Sequence, residues 1–150
     1  MLAAVQEAHR AYDEGEVPIG AVVVVDNQII ASNHNRTEQQ HDPIAHAEIL
    51  AIRDACRHIS YERLTDASLY VTVEPCVMCA GALVLSRIRQ LIYGAENPKA
   101  GAICSLYSVA QDVRLNHQVE VVAGVMRDEC RRLMSSFFQQ LRSGEVPKRS

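Results

Sequence analysis

Two short motifs in this chain contain side chains that bind transition metals. His46-Ala47-Glu48 supplies an imidazole, and Pro75-Cys76-Val77-Met78-Cys79 supplies two thiols. Cys76 and Cys79 are three positions apart, the spacing at which side chains share one face of a helix, so both sulfurs can reach the same ion. Thiolate and imidazole are soft ligands that suit zinc. The residue types and their spacing therefore predict a zinc site formed by His46, Cys76 and Cys79.

Both motifs are expected at the starts of helices. Asp42-Pro43 predicts a helix that runs to about His58, with Asp42 as N-cap, Pro43 in the first turn and His46 also in the first turn. Pro75 suits the first position of a second helix because proline has no N–H to leave unpaired. The partial positive charge of a helix N-terminus favours the thiolate, which is the form of cysteine that binds metal.

This predicted site has three protein ligands rather than four. Structural zinc sites are normally closed by four ligands, whereas catalytic sites keep a position open for water. Glu48 is two residues from His46, and at a helix start both side chains can lean beyond the terminus. Glu48 would then take a proton from water and pass it to a leaving group. H-x-E followed by P-C-x-x-C is typical of zinc deaminases, so the motifs predict metal-dependent deamination.

Composition narrows the class of protein. The chain has 150 residues, of which 48% are hydrophobic and 22% charged, so we expect one globular domain over 1–150 with a frayed tail over about 143–150. The longest apolar run, 19–25, is too short for a membrane span, and no secretion signal precedes it, which predicts a cytoplasmic protein. A net charge of −3 and 5% aromatic residues argue mildly against a dedicated nucleic-acid binder.

Hydrophobic periodicity and turn residues predict alternating helices and strands. This alternation indicates an α/β protein with helices covering the sheet, and an opening hairpin makes the sheet mixed. The predicted elements are a helix over 2–14, strands over 19–25 and 28–32, a loop over 33–42, a helix over 42–58, a strand over 67–73, a helix over 75–85, a strand over 90–93, a loop over 94–101, a strand over 119–123 and a helix over 126–141.

The chain resembles the bacterial tRNA-specific adenosine deaminases of the cytidine-deaminase-like superfamily. The resemblance runs nearly end to end, and beyond the zinc motifs it is carried by Gly15–Ala21, Asn35-Arg36, Pro98-Lys99 and Phe137-Phe138. It implies a three-layer α/β/α fold with a mixed, roughly five-stranded sheet, one Zn²⁺ per subunit, and a homodimer in which each active site borrows residues from its partner. The implied reaction is hydrolytic deamination of the wobble adenosine of a tRNA anticodon to inosine.

The resemblance also implies a role for individual residues. His46, Cys76 and Cys79 match the zinc ligands of the family, and Glu48 matches its proton shuttle. Asn97 falls near the substrate backbone, where family members often carry Asp. For the adjacent Phe137 and Phe138, core packing of at least one ring is the alternative to RNA contact. The remaining implied substrate contacts are Asn35 on the target base, Val17, Pro18 and Val73 around the nucleotide, and Lys99, Phe138 and Arg142 on the RNA.

Two other functions remain open. A deaminase of free bases or nucleosides, acting on guanine, cytosine or cytidine, would share the metal chemistry and would need no surface for a polyanion, which fits the net charge of −3. A non-catalytic, zinc-stabilised RNA-binding module would need a fourth protein ligand, for which Cys104 is the leading candidate, and would not need Glu48. Outside that alternative, Cys56, Cys104 and Cys130 are expected to be small buried hydrophobes.

Overall fold

A computed structural model describes residues 1–145 of the chain. Its helices and strands alternate along most of the sequence, and a short 3-10 helix at Val109–Gln111 lies within the long connection before the last strand. The elements in chain order are α1 (Leu2–Asp13), β1 (Gly20–Val25), β2 (Gln28–His34), α2 (Thr37–Gln40), α3 (Ala47–Ile59), β3 (Ser68–Val73), α4 (Val77–Leu85), β4 (Gln90–Ala95), β5 (Glu120–Ala123) and α5 (Arg127–Ser143).

The strands form one five-stranded sheet in the order β2-β1-β3-β4-β5. Strand β1 is antiparallel to both β2 and β3, whereas β3, β4 and β5 run parallel. The predicted mixed sheet is therefore confirmed. Because parallel strands end at the same edge, the segments that follow β3 and β4 meet there. These segments are Glu74-Pro75-Cys76 and the 96–105 loop, which begins with Glu96.

Helices cover both faces of the sheet, which confirms the three-layer arrangement. Helices α1 and α5 lie on one face, and α3 and α4 lie on the other. Residues of β1 alternate between the two layers: Ala21 and Val23 belong to the main core, whereas Gly20 lies against α1. A Cβ at Gly20 would overlap the Ala4 carbonyl oxygen, so glycine at this position allows α1 to approach the sheet closely.

Small side chains also bring α3 close to the sheet. Ala47, Ala51 and Ala55 are four positions apart, all are fully buried, and they share the main core with Leu69 and Val71 of β3. Because Ala47 is the first residue of α3, this close packing fixes the start of the helix against the sheet. His46, the residue just before it, is thereby held at a defined place.

The predicted starts of the two helices are wrong by a few residues. Helix α3 begins at Ala47 rather than near Asp42, because the Asp42 carboxylate accepts a hydrogen bond from the backbone N–H of Ile44 (3.0 Å) and closes a local turn. His46 is the N-cap residue, not a member of the first turn. Likewise, Cys76 is the N-cap of α4, so Pro75 precedes the helix.

The predicted boundaries of the other helices and strands lie closer to those in the structure. The segment expected to be a loop over 33–42 contains the end of β2 and the short α2, and β4 continues to Ala95. Helix α5 includes Ser143 and ends at Gly144, whose φ of 81° suits glycine, so the predicted tail begins one residue too early. Residues 146–150 lie outside the described residues. Within residues 1–145, no helix combines the length and the apolar character that a bilayer crossing requires.

Candidate metal and active site

Three predicted ligands come together between α3 and α4. The Nδ1 atom of His46 lies 3.7 Å from Sγ of Cys76 and 3.6 Å from Sγ of Cys79, and all three ligand atoms lie within 4.8 Å of one another. A tetrahedral ion with Zn–N of about 2.1 Å and Zn–S of about 2.3 Å requires an N···S separation of about 3.6 Å. The donor set and its spacing therefore fit zinc.

The two helix starts leave these ligands free for a metal. His46 (φ −75°, ψ 151°) and Cys76 (φ −72°, ψ 177°) are N-cap residues in extended conformations, and neither side chain caps its helix by a hydrogen bond. Side chains at this position usually satisfy the first N–H groups of the helix. Here they face each other instead, and the positive ends of two helix dipoles stabilise the negative charge of the sulfurs.

The thiols of Cys76 and Cys79 differ in their pKa values. A hydrogen bond from Cys79, and a second from His46, lower the pKa of the Cys76 thiol to about 4. The same bond to Cys76, together with burial, raises the pKa of the Cys79 thiol. The pKa of His46 is raised because its ring donates to Cys76. Cys76 is therefore a thiolate at neutral pH, which is the form that a metal binds.

Within residues 1–145, the cluster has no fourth ligand. His46, Cys76 and Cys79 are its members. Cys104, expected to be buried, is exposed and stands outside the cluster, and Cys56 is only half-buried. The backbone N–H of Cys104 instead donates to Glu74 (2.7 Å). Cys104 therefore does not supply the fourth ligand that the structural-module alternative requires, and three ligands are the number typical of a catalytic zinc.

Glu48 lies in the first turn of α3, buried beside the cluster. Its side chain is 3% exposed, and its Oε2 atom has no hydrogen-bond partner. Burial raises the pKa of Glu48 to about 7. A buried carboxylate oxygen without a partner costs free energy unless a ligand or water satisfies it. The arrangement therefore provides a proton acceptor next to the place where a zinc ion and a water would bind.

Hydrogen bonds hold the side-chain amide of Asn35 in one orientation. Its Nδ2 donates to Oε2 of Glu16 (3.2 Å) and to Oγ1 of Thr37 (3.3 Å), and Thr37 donates to the same carboxylate oxygen (3.4 Å). Because a carboxylate only accepts hydrogen bonds, the amide nitrogen must face Glu16 and Oδ1 remains for another donor. The backbone N–H of Arg36 donates to Ala45, next to His46, so Asn35 is held near the cluster.

The residues predicted around the nucleotide lie close to the same edge of the sheet. Val73 is the buried last residue of β3, two positions before Pro75. Pro18 is buried and Val17 is half-buried just before β1. The carbonyl of Ile19 accepts the backbone N–H of Asn35 (3.0 Å), which ties this segment to the end of β2.

The residues predicted to contact RNA lie on the surface. Lys99 and Arg142 are exposed, and Asn97 is half-buried with its Oδ1 accepting the backbone N–H of Ala100 (3.1 Å). Phe137 is 2% exposed and packs edge-on against Tyr12, whereas Phe138 is 37% exposed. Core packing therefore accounts for Phe137, and only Phe138 is available to a partner. The sequence offers two further candidates for phosphate contact near its end, Lys148 and Arg149, and both lie outside the described residues.

Three buried carboxylates were missed by the sequence reasoning. Glu7 is 6% exposed, Glu16 is 0% exposed and Glu74 is 1% exposed. Burial raises the pKa of Glu74, but hydrogen bonds from Ser105 and from the backbone of Asn97, Cys104 and Ser105 outweigh this effect and lower it overall. An acidic residue directly after the apolar strand β3 was the available signal, because a charge at such a place needs several partners.

A mixed five-stranded sheet with a His/Cys/Cys cluster at two helix starts is the arrangement of the cytidine-deaminase-like enzymes. The sequence profile of the MafB19-like deaminase family matches residues 1–142. The tRNA-specific adenosine deaminase of Bacillus subtilis (strain 168) is 50% identical over 142 residues, covering 95% of this chain and 88% of that protein. The chain therefore belongs to the tRNA-specific adenosine deaminase family and is an enzyme.

Solved structures agree with this assignment. A deaminase studied for A-to-I editing at the wobble position of transfer RNA superposes with a TM-score of 0.86 at 45% identity, covering 89% of this chain and 96% of that chain. A guanine deaminase from Bacillus subtilis superposes with a TM-score of 0.61 at 30% identity, covering 98% of this chain and 93% of that chain. The similarity in fold thus extends to enzymes that act on a free base.

Proposed function

We propose that this protein catalyses the zinc-dependent hydrolytic deamination of the wobble adenosine of a tRNA anticodon to inosine. The observation that carries the chemistry is the cluster of His46, Cys76 and Cys79 without a fourth ligand, next to the unpartnered carboxylate oxygen of Glu48. The substrate class is supported by the 50% identity to a tRNA-specific adenosine deaminase. Such a substrate implies that the protein works in the cytoplasm.

Each residue of the cluster has a distinct task in this mechanism. His46, Cys76 and Cys79 would hold one Zn²⁺, which supplies a Lewis acid that makes water a nucleophile at neutral pH. Glu48 accepts the proton of the attacking water. A C–O bond forms at C6 of the purine, and Glu48 gives this first proton to the ring nitrogen. Glu48 then carries the second proton of the water from the new C6 hydroxyl to the amine, and the C–N bond breaks to release ammonia. A pKa of about 7 lets Glu48 serve as both base and acid.

The substrate-facing residues divide into a base pocket and an RNA surface. Asn35 would hold the flipped base by hydrogen bonds, with Val17, Pro18 and Val73 enclosing it. Lys99 and Arg142 would contact phosphates, and the exposed ring of Phe138 offers a stacking surface, with Asn97 near the backbone. Flipping costs a few kcal/mol and is easiest for a loop base, and stacking on one ring contributes about 1–3 kcal/mol.

A homodimer is the second part of the proposal. Val77 and Leu85 of α4 are 58% and 78% exposed, and Leu106 and Tyr107 are 52% and 60% exposed. Large apolar side chains on the exposed surface of the helix that carries Cys79 favour a protein–protein contact there. Pairing two copies through this surface would bring the active site of one subunit close to the other.

The substrate class is tested by offering the protein an anticodon stem-loop, guanine, cytosine and cytidine in parallel and measuring ammonia and inosine. We expect inosine in the RNA and no ammonia from the small molecules. The 30% identity to a guanine deaminase makes a free-base deaminase the second candidate. Turnover of guanine or cytosine with unmodified RNA would establish that alternative.

Binding to the stem-loop is expected to weaken steeply with salt despite the acidic composition. Each phosphate that a cation neutralises on a single strand contributes a slope of about −0.7 to the dependence of log affinity on log salt. Lys99→Ala and Arg142→Ala should each reduce the magnitude of the slope by roughly this amount, whereas Arg63→Ala, an exposed residue distant in sequence from the proposed RNA surface, should leave it unchanged. Fluorescence anisotropy measures the slope, and salt-independent binding would contradict the proposed RNA surface.

Asn97→Asp is expected to lower the ratio of DNA to RNA deamination. The turn should survive, because Asp also accepts the backbone N–H of Ala100 that Asn97 accepts now. The new negative charge repels the phosphates of both DNA and RNA. It also accepts a hydrogen bond from a ribose 2′-OH more strongly than a neutral amide does, so the loss of affinity is smaller for RNA than for DNA. The assay compares matched DNA and RNA hairpins at one salt concentration. An unchanged ratio would mean that residue 97 does not contact the sugar.

A further inference from the structure

We propose that Glu74 is a positioning residue that sets the shape of the 96–105 loop without touching the substrate. The inference rests on the proposed function, because the shape of this loop matters for turnover only if Asn97 and Lys99 meet RNA. Glu74 directly follows β3 and lies two positions before Cys76. Its side chain is 1% exposed, so no macromolecular substrate reaches it.

One carboxylate binds both ends of the loop. Oε2 of Glu74 accepts the backbone N–H of Asn97 at 3.0 Å and the hydroxyl of Ser105. Oε1 accepts the backbone N–H groups of Ile103 (3.2 Å), Cys104 (2.7 Å) and Ser105 (2.8 Å). Glu74 is thus the acceptor that joins the first turn of the loop to its last residues.

The middle of the loop is fixed separately against the start of α4. Ala102 donates its backbone N–H to the Pro75 carbonyl (2.8 Å), and Gly101 pairs with Cys76 in an isolated antiparallel bridge. A Cβ at Gly101 would lie 2.5 Å from the Glu74 carboxyl carbon and 2.6 Å from the Asn97 carbonyl oxygen. Glu74 is therefore packed closely against this part of the loop and is only 1% exposed.

A carboxylate suits these five donors better than an amide does. Its two oxygens offer about four lone-pair sites and no hydrogen, whereas the amide of Gln replaces one oxygen by an NH₂ group that only donates. In Glu74→Gln, which has the same shape, that NH₂ must face either the Asn97 N–H or the three N–H groups of 103–105. One end of the loop is then released, while the ligand atoms of the metal cluster keep their own contacts.

Loss of the Glu74 hydrogen bonds is expected to weaken RNA binding rather than to slow the chemical step. Asn97 is at one of the two ends that Glu74 holds, and Lys99 lies between them. If one end is released, the loop must become ordered when RNA binds, and the entropic cost of this ordering weakens RNA binding. Proton transfer by Glu48 does not involve the loop. A change at Glu74 should therefore appear in KM and Kd more than in kcat.

The experiment compares wild type, Glu74→Gln, Ser105→Ala and the exposed control Glu62→Gln. For each variant, kcat and KM on the stem-loop, Kd by anisotropy, zinc content, and amide hydrogen exchange over 97–105 are measured. We expect Glu74→Gln to raise KM and Kd roughly tenfold, the factor for about one lost hydrogen bond to a charged group, with zinc retained and the loop amides exchanging faster. Ser105→Ala removes one donor and should raise KM by roughly threefold with kcat unchanged.

Two results would overturn the inference. Faster exchange with unchanged KM and Kd would mean that the loop shape does not affect RNA binding. A fall in kcat that parallels zinc loss, with KM unchanged, would mean that Glu74 only supports the fold. If Glu74→Gln does not fold, an unchanged KM and Kd in Ser105→Ala overturns the inference. Absence of inosine with wild type would count against the proposed function instead, while Kd and amide exchange still test Glu74.

Discussion

Glu48→Gln is expected to reduce deamination of the stem-loop by about 10²–10⁴-fold while zinc content and fold are retained. This is the usual contribution of a general acid–base group, and Gln has the same shape but neither accepts nor donates the proton. Glu48 lies outside the cluster of ligand atoms, so its loss should leave the zinc ligands in place. Single-turnover rates, elemental analysis and circular dichroism provide the measurements, with Glu62→Gln as control, and Glu48→Ala should behave in the same way.

Loss of zinc from Glu48→Gln would contradict this assignment. Glu48 would then belong among the metal ligands, and the site would have four protein ligands rather than three. A fully active Glu48→Gln would contradict it equally, because the water would then need another base. Among the described residues 1–145, no carboxylate belongs to the cluster of ligand atoms.

Cys76→Ala and Cys79→Ala are each expected to lose the metal, all detectable deamination and thermal stability. A site left with two protein ligands no longer holds zinc tightly, and the binding free energy of a metal is also folding free energy. Cys56→Ala and Cys130→Ala are the matched controls. Cys130 is buried against Gly94, so its replacement should cost about 1–2 kcal/mol of stability from lost packing, but zinc should remain.

Cys104→Ala completes this series because it separates the catalytic site from a structural one. The exposed Cys104 stands outside the cluster, so zinc content should equal that of wild type. Removal of zinc by this substitution would mean that Cys104 closes the site as a fourth ligand. The non-catalytic RNA-binding module would then be the better account.

Local sequence patterns were sufficient to predict the strands of the sheet and the members of the metal cluster. The β-branched run before Asp26-Asn27 and the apolar segments near 67–73 and 90–93 predicted strands that the structure contains. The cluster was predictable because its chemistry depends on residue type and short spacing, which are visible in H-x-E and P-C-x-x-C. Two sulfurs and an imidazole restrict the ion and the coordination number before any coordinates are known.

Contacts between distant segments account for what could not be predicted. The partners of Glu74 are 23 to 31 positions away, and Asn35 is 19 positions from Glu16, so no local pattern shows these hydrogen bonds. Phe137 and Phe138 are adjacent and of one type, and only the packing of α5 against Tyr12 separates the buried ring from the exposed one. Competition from the Asp42 side chain similarly displaced the start of α3.

The most direct measurement is whether oxygen from water is incorporated at the wobble adenosine. The protein is incubated with an anticodon stem-loop in water labelled with heavy oxygen, and the RNA is digested to nucleosides and analysed by mass spectrometry. We expect inosine at the wobble position, one labelled oxygen in each inosine and one ammonia released for each, with all of these products formed about 10²–10⁴-fold more slowly by Glu48→Gln. Unmodified adenosine at the wobble position, with labelled oxygen appearing in guanine or cytosine products instead, would contradict this expectation.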